Sequence, residues 1–140
     1  MLVTEKKTWN DAREHCLEMG ARLIEIRNRK EYETALRLHE QTSGYTWVGG
    51  TDIKLEGQWV WDSNGESVSL NEFWSSGRPL PDKSDLDCLV LLSLGMLDFQ
   101  CTGFHSFVCE FSKFVRVGVS VIGRFLDTFF QETFCFSANG

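Results

Sequence analysis

Apolar residues near the start of the chain recur at helical spacing. Trp9, Ala12, Cys16 and Met19 lie three, four and three residues apart, which places all four on one face of a helix. Thr8 suits the N-cap, where its hydroxyl can accept from an unpaired backbone N–H, and Gly20 suits the turn past the last helical residue. Cys16 therefore faces the core. Residues 21–26 alternate, which predicts a short strand with Leu23 inward and Arg22 outward. Asn28 and Glu31 read as a capping box opening a second helix. That helix turns Tyr32, Ala35, Leu36 and His39 inward and fades at Thr42-Ser43-Gly44.

The pattern then changes period. Residues 45–50 are aromatic and β-branched, which predicts a strand, and its two glycines suggest a close backbone approach or a turn. Trp59-Val60-Trp61 predicts a second strand, followed by the turn signal Asp62-Ser63-Asn64-Gly65. Leu89 to Leu92 is too short for a helix and reads as a buried strand; Phe107-Val108 reads as another, with Gly95 and Gly103 punctuating the connections. Between Ser69 and Asp87 no period survives. A loop this long in a compact domain is usually functional or mobile. Both prolines, Pro79 and Pro81, fall in it, and either X–Pro bond can be cis. After Phe111 the composition shifts. Val115, Val117, Val119 and Val121 alternate, and Val119, Ile122, Phe125 or Leu126, and Phe129 then recur at helical spacing. Residues 112–140 are expected to be an apolar C-terminal tail packed poorly on the preceding domain.

With 140 residues the chain is long enough for one domain with a real core. Five Trp and eleven Phe supply much of that core. The net charge of −6 and the absence of a dense Lys/Arg cluster argue against a nucleic-acid partner. No run approaches the roughly 20 apolar residues that span a bilayer, and the start of the chain has no signal-peptide pattern. The five cysteines form no C-x-x-C pair of a zinc site. Their wide spacing suggests disulfides and an oxidising compartment, so the chain is expected to be secreted or an extracellular part of a larger protein. Four of them allow three connectivities, which spacing alone does not decide. Cys135, in the tail, is the odd one.

The order of signals resembles the C-type lectin-like domain. Its opening Trp-x-x-Ala-x-x-x-Cys helix is matched by Trp9 to Cys16, and Gly-Ala-x-Leu by Gly20-Ala21-Arg22-Leu23. Trp47-Val48-Gly49-Gly50, Glu56-Gly57-Gln58-Trp59-Val60-Trp61, Phe73-Trp74 with Gly77-Arg78-Pro79, and Asp87-Cys88, Cys101 and Phe107-Val108-Cys109-Glu110 follow in the family's order. The resemblance covers residues 2–111. It implies an α+β double-loop fold, with two helices flanking a small antiparallel sheet and an opening strand only partly represented by Leu2-Val3-Thr4. It also implies bridges Cys16–Cys109 and Cys88–Cys101. In the chain-entropy account these contribute roughly 4–5 and about 3 kcal/mol.

Sugar-binding members of that family hold a calcium ion with oxygens from the long loop and from the strand before the third cysteine. A hard cation wants six to eight oxygen ligands. The matching positions here are Arg78-Pro79-Leu80, Leu86 and Met96-Leu97-Asp98, where only Asp98 keeps a ligand oxygen. A shifted register, Leu80-Pro81-Asp82, restores one more. The Arg78 guanidinium is expected to pair with Asp98, Asp82 or Asp85 in the space an ion would fill. A second, auxiliary calcium site of the family is matched by Asp52, Glu56 and Asp87; as plain turn carboxylates, Asp52 and Glu56 would be exposed.

Enzyme chemistry is not expected. His15, His39 and His105 stand without a nucleophile elbow, a zinc-protease helix or a phosphate loop. The resemblance implies an extracellular module that recognises a glycan or protein through the long loop without the sugar-coordinating calcium. Candidate contacts are Trp74, Arg78, Asp82, Lys83, Asp85 and Asp98, with Trp74 as the loop's anchor. The alternatives are a calcium-dependent carbohydrate-binding lectin with an altered site, and a truncated product without function.

Overall fold

The computed structural model describes residues 1–69 and 72–111. The expectations for the tail and Cys135 lie outside the described residues. Within the compact unit Met1–Glu110, the elements in order are β1 (Leu2–Lys7), α1 (Trp9–Glu18), β2 (Arg22–Leu23), α2 (Arg29–His39), β3 (Thr46–Thr51), β4 (Val60–Trp61), β5 (Cys88–Leu92), β6 (Gly95–Phe99) and β7 (His105–Glu110).

Both helices begin as their caps dictate. The Thr8 hydroxyl accepts from Asp11 N, and the Asn28 side chain accepts from Glu31 N. The Glu31 carboxylate reaches back to Arg27 N at 2.8 Å, so the box closes one residue earlier than the cap itself. Trp9, Ala12 and Cys16 are buried, and Gly20 takes a positive φ of 74° past the end of α1.

The sheet runs β1–β7–β3–β5–β6, with β2 added to β7 and β4 to β3. It is mixed, not antiparallel as expected, because β3 pairs with β7 in parallel. β1 is also longer than Leu2-Val3-Thr4: it pairs with β7 up to Lys7, across an irregularity in register. β6 contains Met96-Leu97-Asp98, which the resemblance puts on the strand before the third cysteine, and it pairs with β5 over its whole length.

The central strands are buried on both faces, and their period of two divides them between two cores. Trp47, Val90, Leu97 and Phe107 turn toward α1 and the bridged cysteines. Their neighbours Val48, Leu89, Leu91, Met96 and Val108 turn the other way, to Trp59, Trp61, Phe73 and Trp74. The bridges are Cys16–Cys109, with Cα atoms 5.4 Å apart, and Cys88–Cys101, at 5.2 Å.

Residues 21–26 depart from the expected alternation. Only Arg22–Leu23 forms a strand, and Leu23, Ile24, Glu25 and Ile26 are all buried. The chain here passes under β3, where a Cβ on Gly49 would stand 2.9 Å from the Leu23 carbonyl oxygen. Glu25 is only 1 % exposed but well partnered. Its carboxylate accepts from Ser63 N at 2.9 Å and Ser63 Oγ at 2.8 Å, and pairs with Arg27 at 2.8 Å. The Asp62–Gly65 turn is thus tied to the interior by a buried charge.

His39 is buried at the end of α2, with Nδ1 2.8 Å from Thr46 Oγ1 on β3. Burial holds its pKa below the ordinary value, with Glu40 opposing in part. Burial and Lys6 lower that of His105 as well. An unfolded histidine takes up a proton below about pH 6.5, which the folded one resists. The histidines' contribution to stability is therefore complete above that pH and is lost as pH falls through the window below it. Carboxyl groups raised in the folded state, such as Asp87, act in the opposite direction over this range. In thermal melts from pH 7.5 to 5 the His39 contribution is therefore the difference between proteins: lowering the pH should cost the wild type more than it costs His39→Asn. Equal slopes in the two proteins would remove His39 as the cause.

Candidate functional site

The long loop is fastened before it reaches the candidate residues. Met96 N donates to the Phe73 carbonyl at 2.7 Å and Ser75 N donates to the Met96 carbonyl at 2.8 Å, which covers part of the outer edge of β6. This close approach requires Gly95. Its φ is 121°, and a Cβ there would meet the Phe73 carbonyl oxygen at 2.8 Å. Trp74 is 8 % exposed, edge-on to Trp59 at 5.7 Å between centroids, and its indole N–H donates to the Ser69 carbonyl at 2.9 Å. It anchors the loop from inside and offers a ligand little surface.

Beyond Gly77 the chain crosses the end of β6. The Arg78–Pro79 peptide bond is cis. Arg78 Nη1 donates to Asp98 Oδ1 at 2.7 Å, and Leu80 N donates to Asp98 Oδ2 at 3.0 Å. The Asp98 side chain is 1 % exposed and that of Arg78 25 %. Of the three carboxylates expected to meet Arg78, the structure pairs it with Asp98. Asp82, Lys83 and Asp85 lie beyond, on the exposed part of the loop. Asp82 takes a left-handed φ of 56°, and Leu86 N closes a turn onto the Lys83 carbonyl at 3.1 Å. Asp85 accepts only a long bond from Gln100 Nε2 at 3.4 Å.

These residues do not fit a loop calcium ion. Both oxygens of Asp98 are already engaged, one by a cation. Leu80 contributes its N–H to that carboxylate instead of an oxygen to an ion, and Leu86 and Leu97 have no side-chain oxygen to give.

The second acidic group is different. The pairing of Thr51 on β3 with Cys88 on β5 brings Asp52 beside Asp87, and the turn after β3 returns Glu56 to them. Carboxylate oxygens of Asp52, Glu56 and Asp87 lie within 4.8 Å of one another. Asp52 is only 2 % exposed, which corrects the reading of it as an exposed turn residue. Its Oδ2 accepts from Gly57 N at 2.8 Å, while Oδ1 is buried with no hydrogen-bond partner. Desolvation raises Asp87 to about 6, with the neighbouring Asp52 and Glu56 carboxylates adding to it. Glu56 is raised too, by desolvation and then by Asp52 and Asp82. Three carboxylates with one buried, unpartnered oxygen suit a hard divalent cation. The sequence showed these three residues, but not that Asp52 would be buried.

The histidines sit in structural surroundings. His39 bonds Thr46, which is wholly buried; His15 packs on Phe107, and His105 lies against Tyr45, Trp47 and Phe99.

Two stability measurements test these geometries. Replacing Arg78 by Met strands the Asp98 carboxylate with one backbone donor, at an expected cost of roughly 2–3 kcal/mol in chemical denaturation. Adding Asp98→Asn should recover part of that loss; strict additivity would show that the pair is not coupled. In the acidic group, Asp87→Asn relieves repulsion, so in EDTA at pH 7.5 it should melt higher than the wild type. A lower midpoint would show that the three charges do not strain the fold.

Comparison with known proteins agrees with this architecture. The family model for the Lectin C-type domain matches residues 5–111. CD209 antigen-like protein A of Mus musculus is 31% identical over 106 residues, covering 75% of this chain and 44% of the relative. C-type lectin domain family 4 member M of Nomascus concolor is 29% identical over 106 residues, 75% of this chain and 26% of the relative. The chain thus spans less than half the length of these curated relatives. Among solved structures, the mouse scavenger receptor C-type lectin carbohydrate-recognition domain superposes with a TM-score of 0.68 at 28% identity, covering 79% of this chain and 87% of that one. The calcium-free form of a Ca2+-dependent type II antifreeze protein gives 0.68 at 25%, covering 78% and 87%. These relatives are lectins, receptor domains and an antifreeze protein, not enzymes. In sequence, disulfide pattern and fold, this chain belongs to the C-type lectin domain family.

Proposed function

We propose that the domain is an extracellular recognition module that binds a glycan or a protein through its long-loop surface, without a sugar-coordinating calcium ion in the loop. The observation that carries this reading is the Arg78–Asp98 pair at 2.7 Å. It puts a fixed positive charge, bonded to the one remaining acidic ligand, where a divalent ion would need carboxylates. The pair and the Leu80 N–H hold the loop onto β6 without metal, so the exposed Asp82, Lys83 and Asp85 are presented by a braced segment. Two disulfides suit the oxidising conditions outside the cell. Residues 1–111 are read as the lectin domain, and residues 112–140 as a tail distinct from it. Among the described residues no helix is long and apolar enough to cross a membrane.

The unpartnered Asp52 oxygen favours a second reading beside the first. Asp52, Glu56 and Asp87 would hold a calcium ion that is structural, joining the turn after β3 to the end of the long loop. Such an ion neutralises the acidic group and does not touch a ligand at Arg78.

Glycan-array and receptor-binding measurements on the full chain should give the same affinities in EDTA and in millimolar calcium. Arg78→Glu alone should not create calcium-dependent binding, because Leu80, Leu86 and Leu97 still offer no oxygens. Loss of binding in EDTA with recovery on added calcium would overturn the proposal in favour of a calcium-dependent lectin with an altered site.

A further inference from the structure

We propose that the hairpin beside the long loop carries a second binding site, for an anionic oligosaccharide. The site is a two-lobed groove. One lobe, a cavity of about 440 Å³, is walled by Trp59, Val68 and Pro79, with Gln58, Ser67 and Ser69 at its rim. The other, of about 320 Å³, is lined by Lys54, Leu55, Trp61 and Asp62. Gln58, Val60 and Gly65 belong to both, so the lobes adjoin. Their sizes lie within or near the range of ordinary small-ligand clefts, about 300–1,000 Å³.

Polar side chains on this hairpin fall into two groups. Those facing away from the first lobe are engaged within the protein: Asp62 by Arg13, Ser63 by Glu25, and Asn64 and Glu66 by Arg27. At the groove itself, Asp62 and Thr51 of the second lobe are engaged in this way, but three other side chains are not. Among the described residues, the side chains of Gln58, Ser67 and Lys54 make no hydrogen bond or ion pair, and all three are exposed. The groove thus offers an amide, hydroxyls and an ammonium beside apolar walls. Neutral donors and acceptors next to a short apolar surface suit the hydroxyls and C–H face of a pyranose. Since Arg13 neutralises Asp62, Lys54 remains as the unpaired charge of the second lobe, which favours a carboxylate or sulfate substituent there.

An extended peptide fits less well. Val60 is paired on both sides, with Thr51 of β3 and with Ser67, so the hairpin has no free backbone edge at this point for an added strand. The choice of a saccharide rests on the reading of the domain as a glycan-recognition module; the groove and its free groups do not.

The test is calorimetric titration of the full chain, in EDTA, with 3′-sialyllactose, 3′-sulfolactose and lactose. At least one acidic sugar should bind about tenfold more tightly than lactose, the factor expected of one charge-assisted hydrogen bond. Which acid gains distinguishes carboxylate from sulfate. Lys54→Ala should remove that advantage and leave lactose unchanged, and Gln58→Ala should weaken all bound sugars. The chain's net charge of −6 disfavours diffuse adsorption of anions, so an acid preference reports a local cation. The inference is overturned if no sugar binds, if lactose binds as well as the acids, or if Lys83→Ala acts as strongly as Lys54→Ala. It is also overturned if sugars bind but both Lys54→Ala and Gln58→Ala leave that binding unchanged, an outcome that would leave the long-loop proposal standing.

Discussion

The fold depends on a sheet whose central strands have no solvent face. Side chains on β3, β5, β6 and β7 must alternate between two apolar cores, so a shift of one residue in any strand would exchange them. This register constraint fixes Trp47 against the α1 side and Val48 against the loop side. It also fixes the two bridges, because Cys88 and Cys109 lie on the side that α1 covers. The disulfides then hold a register that burial had already selected.

A charged residue on such a sheet has few ways to persist. Asp98 lies in β6 opposite Leu89 and is buried like its neighbours, so its carboxylate needs donors from the one element that passes over it. The long loop supplies them through Arg78 and Leu80. Glu25 repeats the arrangement elsewhere, with Ser63 and Arg27 as partners. Asp52 is the exception: one oxygen is served by Gly57 and the other by nothing. The contrast separates two uses of buried acids in one small domain, one closed by protein donors and one left open.

Much of the architecture was legible in the sequence because it rests on local periodicity. Trp9, Ala12 and Cys16 declared a helical face, Asn28 and Glu31 a capping box, and Leu89 to Leu92 a strand buried on both sides. What was missed depended on distant contacts. Gly95 reads locally as punctuation, but its backbone must let Phe73 and Trp74 approach, so it opens β6 instead of ending a strand. Glu25 looks like the polar half of an alternation, and only the hairpin turn around Ser63 explains its burial. The parallel pairing of β3 with β7 joins segments about 60 residues apart, and nothing within either segment announces it. At the candidate site, the departures at Arg78, Leu80 and Leu86 were visible as letters. The double occupation of Asp98 required coordinates.

The fastening of the loop has a further meaning. Its incoming end is stitched to β6 through Phe73 and Ser75, and its outgoing end runs into Cys88, which is bridged to Cys101 just beyond the same strand. Both attachments lie within the sheet, and neither uses a side chain between Pro81 and Asp85. That stretch is therefore a replaceable insert as far as packing is concerned, and the scaffold senses it chiefly through charge: Asp82 and Asp85 act on the acidic group at Glu56 and Asp87 without a core contact.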